Sequence, residues 1–202
     1  MPCCPPTDTA PLVAVLAAGA GTRFGAEGYG AKLDARLAGK PVGQWVLDAV
    51  AAAGLPAGII VVGQEAPAFA SASGWPLLVN SRAAEGLGTS LALAAGRALA
   101  QGRALLVLLA DMPLVEAEYI ARLASAKPGA ATLYPLGKRG VPACLPLALL
   151  PQVAALTGDQ GAGALLAEER GLALLEPPAA MLLDIDRPDD LPRAAATLTN
   201  RG

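Results

Sequence analysis

The sequence predicts an α/β protein: a doubly wound, mostly parallel sheet with helices on both faces. Three observations predict it. Apolar runs of strand length at 12–18, 58–63 and 104–110 alternate with stretches whose apolar residues recur at helical spacing, the pattern of β-α-β units. The run at 104–110 is apolar on every residue, as a central strand covered on both faces requires. Gly19, Asn80 and Asp111 each fall just past an expected strand, and such sheets bind ligands outside the carboxyl ends of their strands.

The elements follow in order. The first strand feeds a glycine loop that ends at Gly30. Residues 33–40 read as a short extended piece and a turn. Pro41 fits the first helical position, and Val42, Trp45, Val46, Ala49, Val50 and Ala53 recur at helical spacing until Gly54. Residues 58–63 form a second strand, a short helix follows, and 76–80 form a third. A small-residue loop at 81–90 runs into an alanine-rich helix over 88–101. Asp111-Met-Pro113 breaks the fourth strand. A helix is expected over 115–126, an extended piece over 130–135, a basic turn over 138–142 and a short helix over 147–156. A helix then runs to Arg170, 172–176 and 181–185 read as strands, and Pro188 opens a last helix. Residues 1–10 are expected to be a disordered tail, and 11–202 a single domain. No internal repeat or linker interrupts it.

Composition narrows the chemistry. The chain has 202 residues and is 54% hydrophobic and 16% charged, enough to build a core. No apolar run approaches the ~20 residues of a membrane span, and the start has no basic region before an apolar core. A cytoplasmic protein is expected, with no membrane partner. The net charge of −2 and the lack of a basic run speak against nucleic acid. Cys3, Cys4 and Cys144 have no metal-binding or disulfide spacing. There is no histidine, which excludes Ser-His-Asp triads, Cys-His pairs and histidine-ligated zinc. Carboxylates, lysine, arginine and backbone remain, a set suited to an oxygen-liking cation such as Mg²⁺.

The glycine loop carries Arg23 and is followed by Lys32. Glycines let backbone N–H groups approach an anion, so a phosphate is the expected ligand; the competing reading is a surface loop with two solvated cations. Phe24 stands where a dinucleotide fingerprint needs its third glycine, and no Gly-Lys-Ser/Thr closes a Walker loop. Asp111 is a candidate metal ligand, because a carboxylate at the end of a buried strand is costly unless it binds something. A helix N-cap is its alternative. Asp184 and Asp186 would share a direction if Ile185 points into the sheet, and the cap reading stays open for them too. Gly88, Thr89 and Ser90 offer donors at a helix start, or only a loop end. Lys138, Arg139 and Asp159 are weaker candidates for contacts to a second substrate.

Taken together, 16–25, Lys32-Leu33, 85–90, 110–113, 158–162 and 183–191 resemble the MobA-like nucleotidyltransferases, in order and over nearly the whole chain. The Leu-Ala-Ala-Gly start is most similar to the branch of molybdenum cofactor cytidylyltransferases. The resemblance implies a Rossmann-like nucleotidyltransferase fold and transfer of CMP from CTP, or another nucleoside triphosphate, to a molybdopterin-type phosphate. Ala17, Ala18, Gly19, Gly21 and Thr22 would hold base and phosphates, and Arg23 and Lys32 the triphosphate. Gly88 and Ser90 would contact base or ribose. Asp111 and Asp186 would hold Mg²⁺, with Asp184 nearby, and Lys138, Arg139 and Asp159 would meet the acceptor. A recipient molybdoenzyme is a further implied partner. Met112, Val141 and Gly163 depart from the glutamine, histidine and arginine frequent in that branch. GTP or another acceptor, a nicotinamide-dependent oxidoreductase, and a non-catalytic cofactor chaperone remain as alternatives.

Overall fold

The computed structural model describes residues 10–19, 31–158 and 161–199. Nine strands and eight α-helices are described, in the order β1 (Leu12–Leu16), α1 (Ala31–Asp34), β2 (Arg36–Leu37), β3 (Lys40–Pro41), α2 (Val42–Ala52), β4 (Ile59–Val62), α3 (Ala68–Ala72) and β5 (Leu77–Val79). Then come α4 (Leu87–Ala100), β6 (Leu105–Leu109), α5 (Ala117–Ser125), β7 (Ala130–Leu133), β8 (Arg139–Leu145), α6 (Leu150–Ala154), α7 (Ala162–Glu168), β9 (Ala173–Leu175) and α8 (Asp190–Thr199). Seven strands form one sheet in the order β5-β4-β1-β6-β8-β7-β9. The pairs β5-β4, β4-β1, β1-β6 and β7-β9 are parallel, and β8 runs antiparallel to both its neighbours.

The sheet is covered on both faces, and the side chains of each strand divide between two cores. Val13 and Val15 of β1 and Leu106 and Leu108 of β6 pack with α2 and α5. Leu12, Ala14, Leu105 and Val107 point the other way and pack with α4, α6 and α7. This period-two division is why both central strands are apolar at every position. The alanines of α4 serve close packing: Leu91, Ala94, Ala95 and Ala98 recur at helical spacing and are wholly buried.

Chain order sets the site. From β1 the chain moves outward to β4 and β5, then returns to place β6 on the other side of β1. The switch point lies between β1 and β6, and the crevice at their carboxyl ends is where a doubly wound sheet receives its ligand.

Three local expectations are corrected. Residues 138–142 are not a basic turn; all but Lys138 belong to the seven-residue β8, whose Val141–Leu145 half is buried between β6 and β7. Residues 181–185 are not a strand: a 3-10 helix (Ala179–Leu182) leads into irregular backbone. Pro41 ends β3 and stands before α2, not in its first turn. The extended piece and turn expected over 33–40 are present as the β2-β3 hairpin, preceded by the end of the one-turn α1. Of the expected N-terminal tail, only Ala10 lies within the described residues.

Candidate active site

Lys32 lies on α1 with its side chain 10% exposed. Its Nζ donates to Asp111 Oδ2 at 2.7 Å and to Asp186 Oδ1 at 3.0 Å. Burial alone would lower the pKa of this amine; Asp111 and then Asp186 more than offset it, so the pKa is raised and the group is an ammonium. Neighbouring bonds hold α1 in place. Asp34, at its end, accepts the N–H groups of Ala68 and Phe69, both at 2.8 Å, and so caps α3.

Asp111 stands two residues past β6, and its carbonyl accepts the N–H of Ile185 at 2.9 Å. Ile185 is wholly buried. One backbone bond and one apolar anchor therefore bring the 184–186 segment to the end of β6, 73 residues after it in sequence by the spacing of 111 and 184. Asp190 fixes the far side: its Oδ2 accepts the N–H groups of Asp186 at 3.0 Å and Arg187 at 2.8 Å. The residue preceding α5 is Glu116, so Asp111 does not cap that helix. Asp184 has its pKa pushed up to about 7, first by desolvation and next by the charges of Asp111 and Asp186. The residue still reaches solvent, and the repulsion among the three carboxylates is the part that a cation would relieve.

Beside this cluster lies a cleft of about 380 Å³ at the β1-β6 switch point. Ala18 and Gly19 line it from β1, Gly86, Leu87 and Ser90 from the start of α4, and Asp111 from β6. A second cleft of about 350 Å³ is lined by Asn80, Ser81, Gln64 and Glu65, and shares Ala83 and Ala84 with the first.

Several candidates lie elsewhere. Ala17 is buried, and its N–H is spent on the Val61 carbonyl at 2.8 Å. Gly88 is buried too, and donates to the Gly158 carbonyl at 3.0 Å. Lys138 is exposed at the start of β8. Arg139 donates to the carbonyls of Leu166 and Glu169, satisfying the end of α7. Gly21, Thr22, Arg23 and Asp159 lie outside the described residues. Sequence reasoning missed Asp190, whose signal was an acidic pair directly before the apolar face of the last helix.

The donor set fits a hard divalent cation. Two carboxylates already share one positive charge, that of Lys32, and both offer only oxygen. Among the described residues no three acidic, cysteine or histidine side chains close around a metal. Mg²⁺ or Mn²⁺ needs no such cage, since one or two carboxylates with water and phosphate oxygens complete its shell. A profile of the MobA-like NTP transferase domain matches residues 13–173.

The chain belongs to the MobA-like NTP transferase family. As a MobA-like NTP transferase it is a nucleotidyltransferase, and the oxidoreductase alternative is set aside. Solved structures share its fold. Rv0371c of Mycobacterium tuberculosis, in a complex with manganese, is 24% identical, covers 94% of this chain and 100% of its own, and superposes with a TM-score of 0.70. The nucleotidyl transferase Mth528 of Methanothermobacter thermautotroptrophicus is 24% identical, covers 96% and 99%, with a TM-score of 0.72. Molybdopterin-guanine dinucleotide biosynthesis protein A of Archaeoglobus fulgidus is 22% identical, covers 93% and 98%, with a TM-score of 0.63. No curated protein sequence matches this NTP transferase. Among its described residues, no helix is long and apolar enough to cross a membrane.

Proposed function

We propose that the protein transfers CMP from CTP to the phosphate of a molybdopterin-type acceptor, with Mg²⁺, and releases pyrophosphate. The observation that carries this reading is the meeting of Lys32 with Asp186 and with Asp111, which lines the switch-point cleft. The acceptor phosphate oxygen attacks the α-phosphorus in line, a new P–O bond forms, and the bond to the β-phosphate bridge breaks. Bound by Asp111 and Asp186, a divalent cation would neutralise charge building on the phosphate oxygens. Lys32 and Arg23 stabilise the departing pyrophosphate, Ala18 and Gly19 hold the nucleotide against β1, and Ser90 meets its base or ribose. Lys138, Arg139 and Asp159 are assigned to the acceptor side, where Arg139 acts by holding α7 against β8. A phosphate acceptor is already ionised near neutrality, so no general base is required, in keeping with a chain that lacks histidine. Catalysis then rests on positioning and fixed charge.

A GTP-dependent version of the same reaction is the second reading, favoured by the name of the Archaeoglobus protein of like fold. Pyrophosphate release measured with each of the four nucleoside triphosphates, Mg²⁺ and molybdopterin separates the two. CTP is expected to be fastest. Release with none of the four, alongside tight nucleotide binding, would instead favour a cofactor chaperone serving a molybdoenzyme.

A further inference from the structure

We propose that Asn80 is a positioning residue that keeps the Ser90 proton free, so that Ser90 has a hydrogen-bond donor to present to the nucleotide. The inference rests on the nucleotide reading of the cleft and names one interaction within it. Asn80 follows β5 and is 5% exposed. Its Oδ1 accepts the N–H of Arg82 at 2.9 Å. A backbone N–H can only donate, so this bond dictates which end of the amide faces Arg82 and leaves Nδ2 facing α4. Both Nδ2 protons are used there, on Thr89 Oγ1 and Ser90 Oγ, each at 2.9 Å.

The two hydroxyls then differ in what remains to them. Thr89 has its single proton within reach of two carbonyls, Gly86 at 2.9 Å and Arg82 at 3.0 Å, and so spends it inside the protein. Ser90 accepts from Asn80 and, among the described residues, gives its proton to no protein acceptor. Ser90 lines the cleft together with Gly19 and Asp111. With one of its two lone pairs taken by a buried donor, the Ser90 hydroxyl keeps its proton, and one lone pair, for whatever enters. The chain Arg82 N–H, Asn80, Ser90 therefore points one donor at a carbonyl, ring nitrogen or ribose oxygen of the nucleotide. An acceptor on the nucleotide finds this donor free, with no bond inside the protein to break first.

The test inverts the chain. In Asn80→Asp the carboxylate accepts from the Ser90 and Thr89 hydroxyls, and Ser90 turns a lone pair to the cleft. CTP affinity measured by calorimetry is expected to fall about tenfold, the KM for CTP to rise equally, and kcat to change by less than about threefold. Ser90→Ala is expected to cause the same loss, and the double variant no more than either alone, because the two residues act as one unit. Thermal melts accompany each variant; should Asn80→Asp not fold, Ser90→Ala carries the comparison by itself. Losses that multiply in the double variant, or unchanged CTP affinity in folded Ser90→Ala, overturn the proposal. Repeating the titrations with 2′-deoxy-CTP locates the acceptor: an equal loss places it on the base, and no further loss places it on the ribose. If the unaltered protein binds none of the four nucleoside triphosphates, the nucleotide reading itself falls, a result distinct from the other two.

Discussion

Lys32 occupies the place proposed for the divalent cation. Its ammonium bonds both Asp111 and Asp186, so a divalent ion entering between them must compete with it. Lys32→Met is therefore expected to raise Mn²⁺ affinity in the absence of nucleotide, read by the manganese EPR signal, while lowering turnover. The turnover loss should be equivalent to about 2–4 kcal/mol of transition-state stabilisation, as for other fixed-charge groups at reacting oxygens. Unchanged Mn²⁺ affinity would mean that the metal sits elsewhere. Asp111→Ala should abolish metal-dependent pyrophosphate release and leave a folded protein, since the side chain is at the surface of the site and its main-chain bond to Ile185 survives. Far-UV circular dichroism beside the pyrophosphate assay checks both halves. Asp111 was legible in the sequence because a buried strand ended in a carboxylate. The partnership of Lys32 with Asp186, 154 residues away, was not: a local pattern shows what a residue is, but its distant partner depends on how the whole sheet closes.

The strands differed in how plainly they showed themselves. β1, β4 and β6 are continuous apolar runs and were visible as such, because strands covered on both faces tolerate nothing else. β8 was hidden. Its sequence, Arg-Gly-Val-Pro-Ala-Cys-Leu, begins with a cation and carries a proline, which usually marks a turn or an edge. The sheet accepts it because the pairing with β7 shifts register between Ala131 and Thr132. Residues 181–185 read as a strand, yet one buried isoleucine and one backbone bond proved sufficient to hold that segment. Close strand packing also makes a demand on Gly58, just before β4. A Cβ there would stand 2.0 Å from the Val13 carbonyl oxygen, backbone that cannot turn aside. Gly58→Ala should destabilise the protein by about 3 kcal/mol, measured by urea unfolding; a change below about 0.5 kcal/mol would mean that β1 and β4 can separate at that end.

At the scale of the molecule, one fold brings three carboxylates to one end of a sheet, and that concentration of charge has a thermodynamic consequence. Asp184 has a folded pKa of about 7 against 3.8 when free. A group whose pKa is raised on folding contributes stability that is complete below the unfolded value and is lost as pH climbs through the folded one. Without metal, this site should therefore weaken the fold progressively between about pH 4 and pH 7. Asp48 and Asp190 have lowered pKa values and act oppositely, but only toward the acid end of that window. The melting temperature measured in EDTA is thus expected to fall from pH 5 to pH 8, and Asp184→Asn to flatten that fall. A divalent cation reverses the repulsion that raises the pKa, and it binds the ionised form, so Mn²⁺ or Mg²⁺ should raise the melting temperature more at pH 8 than at pH 5. An equal metal-induced shift at both pH values would separate the carboxylate cluster from the metal, and with it the reason for gathering these residues at the switch point.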